Sequence, residues 1–244
     1  MSEQAFAACA ATVRHRDPDR YFSALFAPAA IRSHLFALYA FNHELAHAVE
    51  SVRDPMIGEI RLQWWRETLA GARSGMPRRH DVAMALAGSF EVLPLPFALL
   101  EAMIDARGFD LQGGTFTDEP GRDAYVDATS GNLMRLAARV LGAGDRHDGL
   151  AREAGLAYGL AGLLRNRAHP SARRRLLSDA GAAQAARDAR AHLQGARRQP
   201  PAKSALAAFL PASLVPLYLR DPSREIALHR RQLRLLGAAL RGRI

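Results

Sequence analysis

Apolar residues recur along this chain at three- and four-residue spacings, and almost nowhere in strict alternation. That periodicity predicts helices and argues against strands, since a helix repeats every 3.6 residues and a strand every two. A short helical turn is predicted over 20–26. Pro28 then opens a long helix reaching about residue 52, striped by Leu35, Leu38, Tyr39, Leu45 and Val49. Pro55 ends it. The next helix starts near Met56 and carries Ile60, Trp64 and Leu69 up to Gly71 and the loop over 74–77. Further helices are predicted at about 81–92, 96–107, 121–142, 148–168, 180–196, 203–219 and 223–241. They are separated by Pro94/Pro96, Gly113-Gly114, Gly142–Gly144, Pro170 and Pro200-Pro201. Each break is short and an apolar helix resumes at once, so no interdomain linker is predicted. The expectation is an all-α chain, about ten helices around one core, forming a single domain over 1–244.

Composition narrows the function classes. Hydrophobic residues make up 49% of 244, enough for a sizeable core. The lone cysteine, Cys9, excludes an internal disulfide and a cysteine-cluster metal site. The formal charge is +9, and among the basic residues only Lys203 is a lysine. A basic chain suits nucleic acid or an anionic membrane. No helix-turn-helix spacing, aromatic RNA-binding motif or zinc finger is present, so nucleic acid is disfavoured as a partner. No apolar run approaches the roughly 20 residues that span a bilayer, and the N-terminus lacks the order of a signal peptide. A soluble or peripheral protein is expected.

One motif suggests chemistry on its own. His43-Glu44-Leu45-Ala46-His47 matches the H-E-x-x-H zinc pattern, whose histidines lie at i and i+4 on one helical face. Only three positions are fixed, and a zinc protease normally aligns its substrate on a strand edge. A chain without strands makes protease activity a poor reading.

Two segments carry a broader resemblance. They are DPDRYFSALFAPAAIRSHLFALYAFNHELAHAVESVRDPMIGEIRLQWWRETL, residues 17–69, and EAGLAYGLAGLLRNRAHPSARRRLL, residues 153–177. Both resemble the paired signature regions of the squalene and phytoene synthases. IDARGFDLQG and YVDATSGNLMRLAARVLG resemble that family's middle helices, in order. The likeness implies an isoprenoid (terpenoid) synthase-like helical bundle around a central cavity. In that family two facing helices each supply an Asp-x-x-x-Asp pair, and the carboxylates hold Mg²⁺ against a diphosphate.

This sequence departs from the pattern at the reacting end. The first acidic pair falls on Ala46 and Glu50, and the second on Asn166 and Pro170. A Gln and an Asn of the family match Gly159 and Gly162; Arg165 is kept, and His43 replaces an arginine. The resemblance therefore implies no catalytic residue, no metal and no cofactor. It points to the subset of the family with eroded aspartates that is linked to assembly of respiratory complex I, and so implies a cytoplasmic protein peripheral on the inner membrane of a bacterium. Complex I subunits or assembly factors are the implied partners, with an isoprenoid or lipid as the implied ligand. The alternative is a working prenyltransferase that joins two isoprenoid diphosphates with Mg²⁺, using Glu50 and further ligands.

Three side-chain groups are candidates for binding. His43, His47 and Glu50, at i, i+4 and i+7, are expected to look into the cavity, with Arg165, Asn166 and His169 opposite. They form either a repurposed metal or anion site or a set of polar residues filling space, and the second is favoured. Tyr39, Trp64 and Trp65 either floor a lipid pocket or pack in the core, and packing is the default. Arg61 and Arg66 are expected to be solvated or paired with Glu59 and Glu67. Lastly, residues 224–244 form an amphipathic stretch, with Ile226, Leu233, Leu236 and Leu240 on one face and Arg230, Arg234 and Arg241 on another. Arg230, Arg231 and Arg234 are expected to meet a membrane or partner; a helix packed on the core is the competing reading.

Overall fold

The computed structural model describes residues 2–168 and 176–244. No strand occurs among them. Helix α1 spans Ser2–Arg16, α2 Pro18–Ala24, α3 Ala29–Glu50, α4 Pro55–Arg73 and α5 Asp81–Val92. Then come α6 (Phe97–Ala106), the short α7 (Gly108–Leu111) and α8 (Glu119–Val126). The π-helical turn Asp127–Gly131 joins α8 to α9 (Asn132–Val140). The long α10 (Asp148–Ala168) precedes α11 (Asp179–Arg197), α12 (Leu206–Phe209), α13 (Val215–Arg220) and α14 (Leu228–Arg241).

Local chemistry sets several of these boundaries. Asp17 caps α2 by accepting from the Arg20 amide at 3.1 Å, and Asp54 caps α4 through the Met56 amide at 2.9 Å. Pro18 and Pro55 occupy the first turn of those helices, where a missing N–H costs nothing. Pro55 thus separates α3 from α4 by opening the second helix.

Three predicted elements differ. An N-terminal helix was not expected, yet α1 packs on α3 and α5 and buries Ala5, Cys9 and Val13 completely or nearly so. These residues fall at i, i+4 and i+8, a stripe too narrow and alanine-rich to stand out. The expected continuous helix over 203–219 is broken into 3₁₀ and α turns around Pro211 and Pro216. The last helix begins at Leu228 rather than 223, because Asp221 accepts from the Ser223 amide and hydroxyl and holds the preceding turn.

The core is continuous. Leu35, Phe41 and Leu45 of α3, Leu62 of α4, Leu160 of α10 and Phe209 of α12 are all fully buried within it. Each such leucine contributes about 1.5–3 kcal/mol by leaving water. Trp65 is buried, while Trp64 is half-buried at its edge, so both serve packing. Where α10 crosses the π-helical turn, a Cβ on Gly155 would sit 2.5 Å from the Gly131 Cα. That contact fixes how closely α10 approaches the middle helices.

Candidate functional site

A cavity of about 790 Å³ opens between α3 and α10. The α3 wall presents Asn42, Ala46 and Glu50, at i, i+4 and i+8. The α10 wall presents Tyr158, Gly159, Gly162, Arg165 and Asn166. Between them lie Arg20 from α2, Arg107 and Asp110 near α7, and Thr129 and Ser130 of the π-helical turn. The turn from Pro222 to Glu225 borders the mouth.

The predicted face of α3 is corrected by one residue. Ala46 and Glu50 line the cavity as expected, but His43 and His47 do not. Their rings stack on each other at 6.1 Å, and His47 is exposed. Successive helical residues are offset by about 100°, so Asn42 takes the inward place that was assigned to His43. Burial pulls the His43 imidazole below its usual range, against the pull of Glu44. Tyr39 is buried behind Arg20 and does not line the cavity. Arg165 and Asn166 do line it; His169 and Pro170 lie outside the described residues.

The polar lining carries Arg20, Arg107, Arg165 and Arg224 alongside Glu50, Asp110 and Glu225. Arg20 pairs with Asp17 at 2.6 Å, with its guanidinium 4.9 Å from the Tyr158 ring centre and 5.9 Å from that of Tyr39. Burial alone would lower Arg20, yet Asp17 and the two tyrosines raise it above its ordinary value. Arg107 donates to the Tyr125 hydroxyl at 2.9 Å and pairs with Asp110 at 3.4 Å. Tyr125 in turn donates to Asp110 at 2.9 Å. Arg165 lies 4.0 Å from the ring centre of Tyr218. Charge-fixed guanidinium groups in a partly enclosed space favour an anion.

Behind this wall sits a buried carboxylate that sequence reasoning missed. Asp19 accepts from Arg231 of α14 at 2.7 Å, from Tyr158 of α10 at 3.2 Å and from the Tyr218 hydroxyl of α13. One side chain thereby ties four helices together. Burial and the Asp19 carboxylate push both tyrosines upward, so they stay neutral donors. Nothing local in the sequence signals this hub, since Asp19 and Arg231 are 212 positions apart.

The residues present do not fit the Mg²⁺ arrangement implied by the resemblance. Among the described residues no group of three or more His, Cys, Asp or Glu converges to hold a metal ion. His43, His47 and Glu50 therefore do not form the ligand set considered from their spacing. Of the described motif positions only Glu50 carries a carboxylate, and it lies within electrostatic reach of Arg107. The α10 wall has also closed where the family carries Gln: a Cβ on Gly159 would stand 2.5 Å from the Val126 Cγ1 and 2.9 Å from the Ser130 Cβ.

Two surface expectations are refined as well. Arg61 is exposed, as the solvated alternative has it, and donates to the Ser51 hydroxyl, whereas Arg66 takes Asp105 at 2.9 Å rather than a glutamate. Of the arginines assigned to a membrane or partner, Arg230 is exposed. Arg231 is committed to Asp19, and Arg234 donates to the Ser213 carbonyl at 3.0 Å.

Comparison with known proteins places these features. The squalene/phytoene synthase family model matches residues 13–177. "NADH dehydrogenase (ubiquinone) complex I, assembly factor 6" of Bos taurus is 33% identical over 169 residues, which is 69% of this chain and 51% of that protein. Its Homo sapiens counterpart is 31% identical over the same shares. The chain thus spans about half the length of these curated relatives. Among solved structures, a dehydrosqualene synthase in complex with ligand superposes with a TM-score of 0.81 at 15% identity, covering 98% of this chain and 96% of that one. Squalene synthase HpnC from Alicyclobacillus acidocaldarius gives 0.69 at 18%, covering 99% and 95%. These structures share the fold.

Proposed function

Because the chain belongs to the squalene/phytoene synthase family, we propose that it uses the family's scaffold without the family's metal chemistry, to assist assembly of respiratory complex I at the inner membrane. The observation that carries this reading is the cavity wall itself. Where paired carboxylates would face each other, it presents Ala46 and Asn166, with Glu50 the single carboxylate kept at the described motif positions, beside Arg20, Arg107 and Arg165. Losing that negative charge forfeits the main means of stabilising a departing diphosphate, a contribution worth several kcal/mol. The names of the relatives supply the direction, since those proteins are called complex I assembly factors.

In this reading the cavity is a binding site. Arg165, held by Tyr218, and Arg20, held by Asp17, offer cationic donors to the head of an anionic isoprenoid or lipid. Asn42 and Asn166 supply neutral hydrogen bonds from the two walls. No helix among the described residues is long and apolar enough to cross a membrane, which is consistent with attachment from one side. The test is genetic. Deleting the gene should reduce assembled complex I on native gels, and restoring the chain should recover it. Unchanged complex I in the deletion strain would reject the assembly role.

A further inference from the structure

Helix α14 is oriented opposite to what its pattern suggests. An amphipathic helix on a protein surface normally turns its leucines to the core. Here Leu235 and Ala238 point inward together with Arg231 and Arg234, whereas Leu233, Leu236 and Leu240 are 66%, 44% and 79% exposed. These three sit at i, i+3 and i+7 and form one outward row. The Arg231–Asp19 pair and the bond from Arg234 to the Ser213 carbonyl fix this rotation, so the row is held outward by buried polar contacts.

The exposed charge on this segment has one sign. From residue 226 to residue 244 the sequence contains no acidic residue. Arg230, Arg241 and Arg243 are exposed on this segment. Arg234 is drawn below its ordinary range by burial and by the neighbouring guanidinium groups of Arg197 and Arg241. Arg197 in turn donates to the Ile244 oxygen at 3.2 Å, so the exposed Arg230 and Arg241 are the cations of this helix open to an outside anion.

From this geometry we infer that the outward face of α14 is a docking surface for an anionic lipid bilayer. The leucine row enters the boundary between headgroups and acyl chains, and the flanking arginines meet phosphate. A leucine row among cations in a plane suits a bilayer, which offers apolar depth and negative charge together. Which bilayer is met rests on the inner-membrane reading above; the surface itself does not.

Flotation of the purified chain tests the inference. Vesicles of equimolar phosphatidylglycerol and phosphatidylcholine should carry the protein upward, and vesicles of phosphatidylcholine alone should not. Binding should fall as salt is raised. Replacing Leu233 and Leu240 together by serine should weaken binding about tenfold or more while leaving helical content and melting unchanged, because both side chains already face water. The pair Arg230→Gln and Arg241→Gln should weaken it about thirtyfold at low salt. Protein that stays in the aqueous layer, or a leucine variant that floats like wild type, overturns the inference. So does a dimer in vesicle-free solution that the leucine variant abolishes, since the face would then belong to a second copy. A chain that floats while complex I is unaffected by its deletion would reject the assembly role and leave this surface standing.

Discussion

The motif positions that face the cavity, on α3 and α10, and the Asp19 hub behind it, on α2, α10, α13 and α14, share one helix but have opposite character. On the cavity side, Ala46, Asn166, Gly159 and Gly162 are small or neutral, and Glu50 is the carboxylate that remains. Behind it, Asp19 gathers Arg231, Tyr158 and Tyr218 into a buried network. The first region needs charge only to do chemistry on a diphosphate. The second needs it to hold α2, α10, α13 and α14 in place, whatever the cavity does. A chain that keeps the hub and loses the pairing of its motif carboxylates keeps a shaped cavity as its product.

That contrast predicts unequal responses to mutation. Asp19→Ala should have the largest effect, because it removes the buried carboxylate on which the Arg231 charge and two tyrosine hydroxyls converge. A loss of about 3–5 kcal/mol is expected in denaturant unfolding. A loss below 1 kcal/mol, on the scale of a surface pair, would mean that the hub does not clamp the helices. Gly159→Gln should come next, at about 1–3 kcal/mol, since its side chain must displace Val126 and Ser130. Gly162→Ala has the smallest effect and the opposite sign. A Cβ there meets nothing within 4 Å, so alanine should stabilise α10 by up to about 1 kcal/mol through helix propensity alone. Equal costs at the two glycines would show that the α10 wall has not closed as described.

The sequence made the long elements legible and the site only partly so. Helices α3, α4, α10 and α11 follow from stripes several turns long, and their ends from Pro28, Pro55 and the glycine-rich breaks. Ala46, Glu50, Arg165 and Asn166 were legible because they occupy aligned motif positions. His43 and His47 were misplaced because spacing alone leaves a helix's rotation open, and a single-residue error turns a side chain by about 100°. Asn42 on the same helix carried the correct face. Arg107 and Asp110 form a local i,i+3 pair, but Tyr125 reaches both only through tertiary packing, so the joined network had no local signal. The rotation of α14 was illegible for the same reason: what turns its leucines outward is a carboxylate in the second helix.

The central claim is that the scaffold persists without metal-dependent prenyl chemistry, and diphosphate release tests it most directly. Purified protein is incubated with farnesyl or geranylgeranyl diphosphate and Mg²⁺, alongside a Glu50→Gln variant. The account predicts no diphosphate release above the protein-free control from either protein. Steady release by the wild-type chain that Glu50→Gln abolishes would contradict it, and would make the cavity an active site.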